Sequence, residues 1–242
     1  MATSKRAKPP GTYHLHRERQ RRRILDAAQK LFDERGIDRT TMAEVISASG
    51  VRASTLYEYF SNKDDIVWAI LTELLEEDAL RAKKYIEGAT TGLSKITALL
   101  AYMADELSKN DAKVRFMAQF DAMYARDWPV ERLLTVEGRI FGWPFEVFRT
   151  YIREGIADGS LRSDLDPDLT LHAVINAVIA AQRRLASLGN KVELEYGQST
   201  DRMFRETIRI LVFGLSAPSR SHRTKPSARG KASKSIKRKR SS

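Results

Sequence analysis

Gly50-Val51-Arg52-Ala53-Ser54-Thr55-Leu56-Tyr57-Glu58-Tyr59-Phe60, followed by Ser61-Asn62-Lys63, is the stretch that decides the fold of this 242-residue chain. Glycine turns a backbone through the left-handed region at little steric cost, so Gly50 marks a tight turn. Leu56 and Phe60 stand four apart, so a short helix from about Ala53 to Phe60 puts both on one face. Upstream, Ile24, Ala27, Ala28, Leu31 and Phe32 recur at three- and four-residue spacing, and Gly36 stops that helix just after Arg35. Thr41 with Glu44 three residues on makes a capping box, so a second helix starts there and buries Met42, Val45 and Ile46. Asn62 caps a fourth helix with Asp65 at its third position. Helix, glycine turn and short polar helix on apolar anchors is the order of a helix-turn-helix, whose second helix enters the DNA major groove.

Charge supports a nucleic-acid partner through its placement. The chain carries a formal +11, yet ten Lys and Arg with no acid fall between Ala217 and Ser242, and residues 1 to 23 hold eight basic residues against one acid. The interior from residue 64 to 216 is net acidic. Positive charge is thus confined to the two ends, where it can meet phosphates. The absence of cysteine excludes disulfides, thiolate metal sites and a cysteine nucleophile. His14 and His16 read as solvated side chains of a polar arm, so no metal is expected. No apolar run is long enough to span a bilayer and the basic N-terminus lacks an apolar core behind it, so a soluble, cytoplasmic protein with no membrane partner is expected.

The rest of the chain reads as helix. The fourth helix continues through Ile66, Ile70 and Leu74 to about Tyr85 without a Pro or Gly linker. Further helices are expected over 93–107, 112–124 and a longer segment to Ala157 that Gly142-Trp143-Pro144 must bend or break. Asp166-Pro167 opens another with an N-cap and proline at the first position, and after a polar loop around Gly189-Asn190 and Gly197 a last helix bears Phe204, Ile208, Leu211, Val212 and Leu215. Four regions follow: a disordered arm over 1–18, a DNA-binding domain over 19–65, a helical domain over 66–216 and a disordered basic tail over 217–242.

In the order Leu31-Phe32, Gly36, Thr41, Ala48, Gly50-Val51, Thr55-Leu56-Tyr57, Tyr59-Phe60 and Lys63, these residues resemble the DNA-binding domain of the TetR family of bacterial transcriptional regulators. The resemblance implies an all-α fold: a three-helix helix-turn-helix domain joined by a long fourth helix to a helical ligand-binding and dimerisation domain. It implies backbone contacts to DNA from Thr41, Thr55, Tyr57, Tyr59 and Lys63. It also implies a homodimer that represses at a palindromic double-stranded operator and releases it when a small hydrophobic effector binds. Gly155-Ile156-Ala157-Asp158-Gly159-Ser160-Leu161-Arg162 before Asp166-Pro167 is similar to the junction preceding the first dimerisation helix of many relatives, so 168–187 and 200–215 are expected to pair with their symmetry mates through apolar faces that include Ile179 and Leu211. One departure stands at Arg52, where many relatives carry a small hydroxyl residue that caps the recognition helix.

The residues add roles of their own. Arg52, Ala53, Ser54 and Thr55 lie at the outward end of the recognition helix, and Arg52 can either pair bidentately with guanine or hold a phosphate. Thr41 serves as a cap, a phosphate contact or both. Arg22, within the run Arg17, Arg19, Arg21, Arg22 and Arg23, can follow the backbone or enter the minor groove. Most of the large side chains between 103 and 151 must be core, but Met103, Phe116, Phe120, Tyr124, Trp143 and Phe148 are candidates to line an effector cavity. Gln119, Asp121, Arg139 and Asn176 are polar candidates near it. No nucleophile–base pair, carboxylate pair or cofactor-binding pattern appears, so no enzyme and no cofactor are expected. The competing reading is a general DNA-coating protein acting through its basic ends.

Overall fold

The computed structural model describes residues 10–141 and 144–218, and among them the chain is helical apart from a single antiparallel bridge between Leu161 and Ser216. In order the helices are α1 (Pro10–Arg35), α2 (Met42–Ser49), α3 (Ala53–Tyr59), α4 (Lys63–Ile86), α5 (Gly92–Lys109) and α6 (Asp111–Tyr124). There follow α7 (Val130–Phe141), α8 (Pro144–Asp158), α9 (Pro167–Leu188), α10 (Lys191–Tyr196) and α11 (Thr200–Leu215). The local signals act as their chemistry demands. Thr41 and Glu44 close a full capping box, Asn62, Asp166 and Ser199 accept from backbone N–H groups three residues on, and Gly50 ends α2 in the left-handed region at φ 63°.

Two sequence expectations are corrected. α1 starts at Pro10, where a disordered arm to Glu18 was expected; proline suits a first helical turn, and nothing from Thr12 to Arg35 breaks a helix. The stretch after Gly189-Asn190, expected as loop, forms the short helix α10, pinned by buried Val192. Residues 1–9, Trp143 and the tail from 219 lie outside the described residues.

Two apolar cores organise the chain. In the first, Ile24 and Phe32 of α1 meet Val45, Leu56, Phe60, Ile66 and Ile70. Phe116, Met117 and Phe120 of α6 belong to it as well. In the second, Ile96 and Leu100 of α5 pack with Phe148 and Ile152 of α8, Val178 of α9 and Phe204 of α11. α4 runs unbroken out of the first core to pack along α5; its 24 residues span about 36 Å.

The second core has one joint with no room in it. A Cβ on Gly92, at the start of α5, would fall 2.2 Å from the Gly155 nitrogen and 2.3 Å from the Tyr151 carbonyl oxygen of α8. Gly155 is equally confined, since a Cβ there would meet the Leu161 side chain at 2.6 Å. At Gly92 backbone meets backbone, which cannot yield as a side chain would. Asp158 reinforces the contact by accepting the Gly92 N–H at 2.8 Å. Gly92→Ala should therefore cost about 1–3 kcal/mol or more by overpacking, read as a lower urea midpoint at an unchanged denaturant slope.

Candidate nucleic-acid interface

α3 is short because its anchors are few. Leu56 and Phe60 are buried in the first core, and the helix ends where Phe60 turns to extended backbone. The opposite face carries Ala53, Ser54, Tyr57 and Glu58, all exposed, with Thr55 half-buried at its edge. Tyr57 leaves 52% of its surface in water, which is unusual for an aromatic side chain that only packs. Arg52 occupies the N-cap position without donating or accepting a side-chain cap bond, and it is exposed. Its guanidinium is therefore available to an outside partner. Gly50 sets the angle between α2 and α3, and a Cβ there would approach Arg23 Nη2 to 2.9 Å.

Other expected contacts are partly committed within the protein. Tyr59 Oη donates to the Arg17 carbonyl at 3.0 Å, and the Arg17 guanidinium stands 5.5 Å from its ring centroid. Lys63 Nζ donates to the carbonyls of Ile37 and Asp38 at 2.7 and 3.2 Å, so it holds the α1–α2 turn against the start of α4. Thr41 is exposed but its hydroxyl serves α2, accepting from Glu44 N–H at 3.3 Å and donating to the Glu44 carboxylate at 2.9 Å. The Thr41 backbone N–H, bonded to Glu44, holds that carboxyl below its ordinary range. Arg22 pairs with Asp26 at 2.8 Å and Glu73 at 3.2 Å. The sequence suggested none of these long-range partners.

The described candidates for an effector cavity divide between core and cavity wall. Phe116 is buried against Phe32 of α1, ring centroids 6.3 Å apart, and Phe148 is buried in the second core. Tyr124 bonds the Asp64 carboxylate and accepts from Trp68 Nε1 at 2.7 Å; burial first, then Asp64, holds its hydroxyl well above the usual phenol range. Of the described candidates only Phe120 lines a cavity of about 490 Å³ between α4, α6, α7 and α9. Met103 lines a neighbouring space of about 140 Å³ that shares Leu75, Met117, Ile179 and Arg183 with it. Leu71, Leu75, Leu133 and Ile179 supply apolar wall, Trp128 the rim, and Asp121, Glu137, Asn176 and Arg183 the polar groups. Of the polar candidates, Gln119 instead faces α1, and Arg139 is exposed.

Both functional regions share α6. Gln119 Oε1 accepts the Ile37 N–H at 2.7 Å while its amide donates to the Phe32 carbonyl at 3.3 Å, and Arg115 pairs with Asp33 at 2.6 Å. Arg132 of α7 reaches back to Asp64 at 2.7 Å and lies 4.2 Å from the Trp68 ring centroid.

Comparison with known proteins places this geometry. The pattern described as "Bacterial regulatory proteins, tetR family" matches residues 24–70. The HTH-type transcriptional repressor KstR2 of Rhodococcus jostii (strain RHA1) is 26% identical over 215 residues, covering 87% of this chain and 98% of that one. The solved structure of the ketosteroid transcriptional regulator KstR2 of Mycobacterium tuberculosis overlays with a TM-score of 0.61 at 21% identity, over 82% of this chain and 96% of that one. The transcriptional regulator FadR of Bacillus subtilis, solved in complex with stearoyl-CoA, gives 0.59 at 18%, over 80% and 98%.

The internal role of Lys63 separates from any role on DNA. Lys63→Met should leave the Ile37 and Asp38 carbonyls without that donor and lower stability by about 1–2 kcal/mol, read as a lower melting temperature in the absence of DNA. An unchanged melting temperature would release Lys63 from the turn.

Proposed function

The chain belongs to the TetR family of bacterial regulatory proteins, and from that premise we propose that it is a repressor. It binds a near-palindromic operator as a homodimer and releases it when a small molecule with a large apolar body fills the cavity beneath α7. The observation that carries this reading is α6: Phe116, Met117 and Phe120 complete the core that supports α3, and Met117 and Phe120, with Asp121, also line the cavity. Filling the cavity must press on the same helix that holds the turn before α2. The apolar wall is in keeping with the ligands in the relatives' names, a ketosteroid regulator and a stearoyl-CoA complex, both of which imply large apolar bodies. A regulator of this kind acts where the DNA is, in the cytoplasm, and needs neither a catalytic group nor a membrane. Among the described residues no helix is long and apolar enough to cross one.

Reading falls to Arg52, Ala53, Ser54 and Thr55 in the major groove, with Tyr57, Tyr59 and Thr41 on phosphates and Arg22 and Lys63 supporting from the flanks. The dimer forms through α9 and α11. α9 exposes Ala173 and Ala177, small side chains that let a second helix approach closely, and α11 exposes Ile210 and Phe213 at 58% and 78%. Ile179 and Leu211, expected from sequence on that face, are half-buried, Ile179 toward the cavity and Leu211 against the second core. The coating alternative is not favoured, because that role needs neither a cavity nor α6 joining it to the core beneath α3.

Two measurements test the proposal. Ile210→Glu with Phe213→Glu should convert the dimer to monomer in sedimentation and abolish operator binding at the same protein concentration; a monomer that binds with unchanged affinity would refute it. Arg52→Ala should relax preference at one position per half-site, by about 1–3 kcal/mol of discrimination, whereas Tyr57→Phe should weaken all sequences alike. Uniform weakening by both would make Arg52 a phosphate contact.

A further inference from the structure

The polar groups of the cavity are unevenly matched. Arg183 is already committed: it pairs with Asp121, and burial pushes its guanidinium down to about 10. That pair uses one oxygen of Asp121. The other, Oδ1, is buried without a hydrogen-bond partner among the described residues. Glu137 also lines the cavity, makes no hydrogen bond or ion pair among the described residues, and has its carboxyl pushed up by burial alone. A desolvated carboxylate without a counter-charge is costly, and a cation brought to it repays the cost. Trp128 stands at the rim, edge-on to Phe120 at 6.2 Å and 47% exposed, with ring surface open to a cation. The cavity therefore offers acceptors and negative charge, its one guanidinium neutralised, inside apolar walls.

We propose that the cavity selects a lipophilic cation, an alkyl- or arylamine or a quaternary ammonium, whose apolar body packs on Leu71, Leu75 and Ile179 while its charged end sits between Glu137 and Trp128. An amine that carries N–H donors also satisfies Asp121 Oδ1. An anionic amphiphile meets the opposite balance, since it must displace Asp121 from Arg183 and approach Glu137 as a like charge. This inference rests on the cavity being the effector site, and it fixes the chemistry that site accepts.

The test uses the full chain with decyltrimethylammonium, decanol and decanoate, each below its micelle concentration, followed by calorimetry and tryptophan fluorescence. The cation should bind about tenfold more tightly than decanoate, as one charge-assisted contact in a desolvated site gives. Glu137→Gln should remove that advantage while leaving decanol binding and the melting temperature unchanged; it is the variant of choice because no internal partner is lost. Equal or tighter binding of decanoate, or undiminished cation binding by Glu137→Gln, overturns the proposal. Operator release is scored separately. Cation bound at Glu137 without release sustains the ligand chemistry and rejects the cavity as the effector site. Release by decanoyl-CoA with no cation binding rejects the chemistry and leaves the effector reading intact.

Discussion

Phe116 against Phe32 is the contact on which the rest of the molecule depends. An apolar ring buried between α6 and α1 stabilises by roughly 1.5–3 kcal/mol through area alone. Its larger effect is geometric, because it places a helix of the second domain inside the core of the first. Gln119 then braces the end of α1, accepting the Ile37 N–H and donating to the Phe32 carbonyl, which also accepts the Gly36 N–H. The same turn offers its Ile37 and Asp38 carbonyls to Lys63. α1, α4 and α6 thus meet at one turn, and α2 begins immediately after it. A displacement of α6 cannot be absorbed by a flexible linker, since none lies between the cavity wall and α2.

Deeper in the second domain the helices are held in register by charge. Lys113 is buried between Asp78 of α4 and Glu106 of α5; Tyr102 donates to Asp78, and Arg81 reaches Glu106 at 3.4 Å. Burial raises the Asp78 carboxyl, against the pull of Lys113. Such a cluster adds little net stability, because desolvation offsets most of the attraction, but a shift of α6 by one residue would strand its charges. It fixes how α4, α5 and α6 face one another on the side of the cavity away from α7.

The fold was largely legible because helix periodicity and caps are local. Thr41, Gly50, Asn62 and Asp166 act within four residues of themselves, and all do what their chemistry indicates. What was not legible depends on partners far away in sequence. Phe116 and Phe120 are both large apolar residues on one face of α6, four apart and in the same core, yet one packs on α1 and the other also borders a cavity; periodicity gives the shared face and cannot tell which neighbour each turn of it meets. Ile179 was expected at the dimer face because it is apolar, whereas the small residues exposed there are alanines that carry little hydrophobic signal. Lys63 sits where a phosphate contact is plausible from sequence, and only the path of the α1–α2 turn brings two carbonyls within its reach. Glu137 reads as one more surface charge on an amphipathic helix until α4 and α9 are seen to close over it.

The joint between Gly92 and Gly155 bears on how such a protein can change over generations. In an ordinary core, a larger side chain on one helix can be offset by a smaller one opposite, so sequences drift in compensating pairs. Here both partners are already the smallest residue there is. Enlarging Gly92 has no remedy on the other side, because what it would meet is the backbone of Gly155 and Tyr151, and that position is closed to exchange. The apolar wall around Leu71, Leu75 and Ile179 has no such restriction. A lineage can remodel what the cavity accepts while the joint between α5 and α8 stays fixed, and divergence of ligand choice need not disturb the frame that carries it.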